Sequence, residues 1–309
     1  MLDGFAWAHL YVEDAEYWRT WHEKYLGLGT SGIYRDTDTL SYALQNGAVL
    51  FLVSQALTNH SPVAHYLNSH PPGVADIAFR VGNLDTARRH IERAGVHVIP
   101  SPLAAGGYTL QSPLGVTHSL IEGFASLPPG YTPLPGRTGP RFDAIDHIVL
   151  NVETSALEPV SQWYGRVFGL ASNRYFEVRT DSSALKSKVL VNPTETVRLP
   201  LNEPLTPNSQ IQEFLDVNRG AGVQHIALRT GDILGSVEHL RARGLHFLGV
   251  PASYYDCLSG RNDLEGIDPD HLHDLGILVD RDEAGGQLLQ IFTKTIFAEP
   301  TLFYEVIER

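Results

Sequence analysis

Four stretches of this chain share one pattern: a short run of alternating apolar residues, an amphipathic helix, a glycine stop, and further strand-like runs. They open at Phe5 to Val12, Gly73 to Phe79, Ile145 to Val149 and Gly222 to Leu228. The helical periods that follow are Glu16 to Leu26, Leu84 to Ala94, Val160 to Phe168 and Ile233 to Arg243, ending near Gly27, Gly95, Gly169 and Gly244. Apolar runs such as Ala48 to Val53, His97 to Pro100, Val189 to Leu201 and Leu288 to Phe292 complete a β-α-β-β-β module each time. A unit of this kind cannot bury its apolar face alone, so the repeat requires the modules to stack.

The stretch Leu127-Pro128-Pro129-Gly130-Tyr131-Thr132-Pro133-Leu134-Pro135-Gly136 is too proline-rich for a helix or central strand. It divides the chain into an N-terminal domain (1–126), a Pro/Gly linker (127–141) and a C-terminal domain (142–309), each with two modules. At 309 residues the chain exceeds the usual size of one domain, and its 43% hydrophobic content can bury a substantial core. With 23 Lys+Arg against 35 Asp+Glu the formal charge is -12, and no basic cluster follows the pattern of a phosphate backbone, which argues against nucleic-acid partners. No apolar run approaches the roughly 18 residues of a membrane span, and the N-terminus lacks a leader pattern. The single cysteine, Cys257, rules out an intrachain disulfide framework and suits a reducing compartment. A cytoplasmic location is expected.

One carboxylate, Glu305, stands inside the apolar strand-like run Leu302-Phe303-Tyr304-Glu305-Val306-Ile307, where an ionised group is costly unless paired or bound to a metal. His147 and His225 occupy similar settings in the first strands of the third and fourth modules. A lone strand histidine is usually a satisfied core residue, and this chain has 14 histidines. Two imidazoles at equivalent repeat positions plus a carboxylate form a set that suits non-haem Fe(II). Matching the apolar patterns places His9 opposite His147, Asp76 opposite His225 and Ser119 opposite Glu305. His, Asp and Ser make a poor metal site, so one iron per chain is expected, in the second half. His271 and His273 have metal-like spacing, but their charged segment reads as solvated loop.

Paired β-α-β-β-β modules with ligands on these strands resemble the vicinal oxygen chelate superfamily, an α+β, glyoxalase-like fold of open barrel-like sheets with outer helices. Within it the chain resembles the 4-hydroxyphenylpyruvate dioxygenase family. The resemblance rests on Asp146-His147-Ile148-Val149, Leu199-Pro200-Leu201-Asn202-Glu203-Pro204, Ser209-Gln210-Ile211-Gln212 and Gly220-Ala221-Gly222-Val223-Gln224-His225-Ile226-Ala227. It continues in Leu275-Gly276-Ile277-Leu278-Val279-Asp280-Arg281-Asp282, Leu288-Leu289-Gln290-Ile291-Phe292-Thr293-Lys294 and Phe303-Tyr304-Glu305-Val306-Ile307. It runs through the C-terminal domain, while the N-terminal half matches mainly in architecture.

The resemblance implies that His147, His225 and Glu305 ligate Fe(II) and that a 2-oxo acid substrate chelates the iron, so no Arg or Lys clamp is needed. It further implies O2 activation, oxidative decarboxylation, ring hydroxylation and side-chain migration to homogentisate, in tyrosine catabolism or in making quinone and tocopherol precursors. Gln224, Gln290 and Asn202 are expected at the reacting end. Ser187, Asn202, Gln210, Gln224, Gln290, Phe292 and Phe303 are expected to line the substrate pocket. Regular alternation would point Gln224 away from the site, so its role there requires an irregular strand. Asn202 alone could be a turn residue, Gln210 a polar helix face, and Phe292 plain core.

Three alternatives stand beside this reading. 4-Hydroxymandelate synthase shares the fold, triad and substrate, but that resemblance would imply an apolar or smaller residue at Asn202. A ring-cleaving extradiol dioxygenase would need a His or Tyr base near the metal, and no motif supplies one. The family normally continues past the third ligand into a Gly-rich stretch and a C-terminal helix that closes the pocket, so a chain ending at Arg309 is expected to bind Fe(II) and turn over weakly. Homodimers or homotetramers are also expected from the resemblance.

Overall fold

The computed structural model describes residues 1–101, 106–123, 127–135, 142–179, 184–258, 268–281 and 285–309. The first module is β1 (Leu2–Tyr11), α1 (Ala15–Tyr25), β2 (Gly29–Arg35), β3 (Thr39–Asn46) and β4 (Val49–Ala56). Helix α2 (Pro62–Ser69) leads to the second: β5 (Gly73–Val81), α3 (Leu84–Arg93), β6 (Ile99–Pro100), β7 (Tyr108–Gln111) and β8 (Thr117–Glu122). A two-residue strand, β9 (Thr132–Pro133), precedes the third module of β10 (Ala144–Asn151), α4 (Leu157–Phe168), β11 (Ala171–Arg179), β12 (Ala184–Val191) and β13 (Arg198–Pro204). Helix α5 (Gln210–Asn218) leads to the fourth: β14 (Gly222–Arg229), α6 (Ile233–Ala242), α7 (Ala252–Leu258), α8 (Pro269–Leu275), β15 (Leu278–Arg281), β16 (Gln287–Phe292) and β17 (Phe303–Glu308).

The strands form a nine-stranded sheet, β6-β7-β8-β5-β1-β4-β3-β2-β9, and an eight-stranded sheet, β11-β12-β13-β10-β14-β17-β16-β15. Each curls into a half-barrel of the expected α+β kind. In both, the first strands of two modules run antiparallel at the centre, and each module's last strand lies parallel to its first.

One device recurs in every module and explains why the helices start where they do. The first helical N–H, an orphan donor, is taken by an acidic or amide side chain from the module's last strand. Ala15 N–H donates to Gln55, Leu84 N–H to Glu122, Leu157 N–H to Glu203 and Ile233 N–H to Glu308. Helix α4 has no capping side chain of its own at Ala156, so Glu203 matters most there. Glu122 and Glu308 also fix the equivalence of β8 and β17, and hence of Ser119 and Glu305 three residues earlier.

A continuous apolar core joins the outer faces of the two sheets through their helices. The concave faces differ. In the N-terminal half that face is filled by Trp7, Ala43, Leu50, Leu52, Ala78, Ile121 and Tyr131. Tyr131 comes from the proline-rich stretch, whose β9 adds to the sheet edge beside β2. That part of the expected linker therefore folds onto the N-terminal half; its remainder, 136–141, lies outside the described residues, as do the Cys257 side chain and Asp282. His271 and His273 lie on helix α8 and not in a loop. Asp268 caps that helix, Pro269 opens it and Gly276 closes it, all legible start and stop signals. His271 pairs with Glu238 of α6.

Candidate metal centre

The pairing of β10, β14 and β17 places His147 beside Ala227 and Ala227 beside Glu305. His225 is two residues before Ala227, on the same concave face. Three candidate ligands thus converge around an alanine, the side chain that leaves room between them. His147 Nε2 is 3.0 Å and His225 Nε2 3.4 Å from Glu305 Oε2. Two donors held cis at bond lengths of ~2.1 Å stand about 3 Å apart, so these separations fit one shared cation. All three residues are buried, and Glu305 Oε1 has no hydrogen-bond partner. Among the described residues this is the one group of histidine, cysteine and acidic side chains that could hold a metal ion.

Each histidine follows a β-bulge. The register slips by one residue at Asp146 in β10 and again at Gln224 in β14. The bulge brings the side chain just before each histidine round to its imidazole. His147 Nδ1–H donates to Asp146 Oδ1 (2.9 Å) and His225 Nδ1–H to Gln224 Oε1 (3.2 Å), so both Nε2 atoms are left for a metal. The irregularity that Gln224 required is present. Asp146 is held by Arg309, whose guanidinium nitrogens lie 3.0–3.2 Å away, and by Arg198 at 3.9 Å.

The electrostatics favour a positive charge at this point. Burial raises the Glu305 carboxyl, but the charge and hydrogen bond of His147 and the hydrogen bond from His225 outweigh it and bring it down to about 2. Burial lowers His147, yet Glu305 and Asp146 overcome that and raise it to about 9. His225 is lowered, by burial and by the charge on His147. Burial would raise Asp146 too, but His147 and Arg309 hold it well below the ordinary carboxylate range. Two imidazole nitrogens, one ionised carboxylate and a spare buried oxygen fit a divalent first-row metal.

Comparison with known proteins agrees with this architecture. Residues 146–257 match the family model described as the Glyoxalase/Bleomycin resistance protein/Dioxygenase superfamily. The chain is 39% identical to a 4-hydroxyphenylpyruvate dioxygenase of Caenorhabditis elegans, over 88% of this chain and 76% of that one. The corresponding protein of Danio rerio is 36% identical, over 92% of this chain and 78% of its own. The chain belongs to the 4-hydroxyphenylpyruvate dioxygenase family. It is also similar to the solved structure of a triply substituted 4-hydroxymandelate synthase from Streptomyces coelicolor, with TM-score 0.90 and 32% identity over 100% of this chain and 93% of that one.

As a dioxygenase of that family, the chain can be read position by position around the triad. Phe292 pairs with Glu305, and Phe303 pairs with His225. The Phe303 ring stacks on the His225 imidazole (4.7 Å, 22°), and Phe292 meets it edge-on (6.0 Å, 81°). Asn202 pairs with both Asn151 and Ser187, forming a polar row across β10, β13 and β12. Asn151 lies four residues beyond His147 on the same face, about 13 Å along the strand. Gln290, half-buried on β16, lies two residues before Phe292, at the other end of the triad from Phe303. Gln210 is the exposed first residue of α5, beside the capping Ser209.

Residue-level reading missed four participants. Asp146 was legible only as part of a motif, and Arg309 touches it across 163 positions. Ala227 is visible only through strand register. Asn151 is fully buried with neither amide atom hydrogen-bonded, which gives the polar row a spare donor and acceptor.

Register also corrects the match between halves. In β1 the bulge falls at Ala6, so Trp7 pairs with Ala78 as His147 pairs with Ala227, and Ala78 pairs with Ser119 as Ala227 does with Glu305. Trp7, and not His9, therefore stands opposite His147. Its indole N–H donates to Asp76 Oδ2 (3.2 Å), and Ser119 Oγ–H donates to Asp76 Oδ1 (3.0 Å). The bulky ring occupies the space that the other half leaves open.

Proposed function

We propose that this dioxygenase converts 4-hydroxyphenylpyruvate and O2 to homogentisate and CO2, using one Fe(II) held by His147, His225 and Glu305. The observation that carries the reading is the combination, on one concave face, of the His-His-Glu set and an uncharged polar row about 13 Å along β10. That spacing suits an aromatic 2-oxo acid, with its acid end at the metal and its phenol at the row.

The metal, when bound, supplies chelation of the 2-oxo acid and activation of O2. The chain supplies the rest. Asp146 and Gln224 fix the tautomer of both ligand imidazoles. Phe303 and Phe292 keep water from the metal side and give the substrate ring apolar walls. Asn202, Ser187 and Asn151 bind the phenol hydroxyl without charge, so it keeps its proton. Gln290 orients the keto-acid end.

4-Hydroxymandelate synthase is the second reading, favoured by the structural likeness to such an enzyme. The polar Asn202 argues for ring hydroxylation. Anaerobic loading with Fe(II), addition of 4-hydroxyphenylpyruvate and then O2, with product separation, tests both. A visible charge-transfer band followed by homogentisate is expected; 4-hydroxymandelate without homogentisate would overturn the assignment.

A further inference from the structure

Strand β17 is held from both sides. Alternation turns Phe303 and Glu305 to the concave face and Tyr304 outward, against the N-terminal half. Tyr304 is fully buried, and its phenol O–H donates to Nε2 of His22 on helix α1 (2.7 Å). His22 Nδ1–H donates in turn to the Trp18 carbonyl one turn earlier (2.7 Å), which leaves Nε2 as the acceptor. The Tyr304 ring also stacks on Phe51 of β4 (5.6 Å, 14°).

The same bond occurs a second time with its partners exchanged. His118 precedes Ser119 as Tyr304 precedes Glu305. Tyr164 stands five residues before Gly169 as His22 stands five before Gly27. His118 Nε2 accepts from the Tyr164 phenol (2.9 Å), and its Nδ1–H points to the Ile77 carbonyl (3.3 Å). Each half thus ties its first helix to the last strand of the other half. Only one of those strands carries a residue of the candidate metal set.

We infer that His22 and Tyr304 are positioning residues for the third metal ligand: helix α1 of the N-terminal half holds β17 so that Glu305 meets both histidines. The inference rests on the triad being a metal site. The pairing ladder fixes which residues face each other, but a shared cation needs donor positions good to a few tenths of an ångström. An outward anchor on the residue next to Glu305 supplies that constraint, and the N-terminal half gains a direct part in a site it does not line.

The symmetry provides the control. Tyr304→Phe and Tyr164→Phe each remove one buried phenol–imidazole bond with almost no change in volume, so both lower the melting temperature by a few degrees. Metal affinity, measured anaerobically by chelator competition with Fe(II) or Co(II), separates them. Tyr304→Phe is expected to weaken binding about 10-fold, the size seen when support to a ligand is removed, and Tyr164→Phe by less than twofold. The double variant His22→Leu/Tyr304→Phe removes the orphaned imidazole and is expected to regain melting temperature but not affinity. Equal affinity in the two single variants, or affinity that recovers with melting temperature in the double variant, overturns the inference while leaving the metal site standing. A wild-type chain that binds no metal overturns the reading on which it rests.

Discussion

Asp76 occupies, in the N-terminal half, the position that His225 holds in the other, and it is a buried carboxyl without a cation. Burial raises it from 3.8 to about 7, against the opposing hydrogen bonds of Ser119, Thr117 and Trp7. Because the folded value exceeds the unfolded one, the neutral acid is favoured in the fold, and stability is lost as pH rises from 3.8 towards 7. At about 1.4 kcal/mol per pH unit the loss is about 2 kcal/mol at pH 5, about 3 at pH 6 and about 4 above pH 7. Asp76→Asn keeps the shape and cannot ionise; its carbonyl can accept from Trp7 and its amide can donate to the Ser119 hydroxyl. Urea unfolding of both proteins at pH 5, 6, 7 and 8 isolates this group, since every other titration cancels in the difference. The variant should gain on the wild type by about 3 kcal/mol between pH 5 and pH 8, whatever constant offset separates them. A difference that stays flat across that range would refute the account of Asp76 as a carboxyl pushed upward by burial.

The remaining predictions concern the two concave faces and the buried histidines. Glu305→Gln should reduce bound divalent metal after desalting from one per chain to below about a tenth, as expected when a three-ligand site loses its only anion; near-stoichiometric metal would remove Glu305 from the ligand set. Ala227→Val places two methyls between His147 and Glu305, costing about 1–3 kcal/mol from overpacking and at least 10-fold in metal affinity, read by thermal melts and chelator competition. Asn202→Ala should raise KM for 4-hydroxyphenylpyruvate about 10-fold, the worth of one neutral hydrogen bond, and leave phenylpyruvate unchanged; equal effects on both would detach Asn202 from the phenol. Burial lowers His9 to about 3 and His22 and His118 to about 4, from 6.5. Their contribution is therefore complete above pH 6.5 and lost as pH falls towards 4, roughly 6 kcal/mol for the three by pH 5. Urea midpoints in the Asp76→Asn background, free of the opposite trend, should fall over that range.

Much of this protein was legible because its signals are local. The period-two runs, the helical periods and the glycine stops mark four modules. A carboxylate and two histidines in apolar strands stand out because burial without a partner is costly. Where local reading failed, the signal was present but weighed wrongly or was not local at all. Asp268, Pro269 and Gly276 bracket α8 by ordinary rules, yet its charge suggested a loop.

The sequence by itself determined the modular fold, the half that carries the candidate metal set and the residue types in that set. Tertiary structure decided register and reach. A one-residue bulge turns Asp146 and Gln224 onto their neighbouring histidines, and another at Ala6 puts Trp7, where plain alternation puts His9, opposite His147. Arg309 meets Asp146 across 163 positions and His22 meets Tyr304 across 282. Periodicity assigns a side chain to a face because the backbone geometry repeats within a few residues. Which faces meet, and at what offset, depends on packing between segments far apart in the chain, and no local pattern encodes that choice.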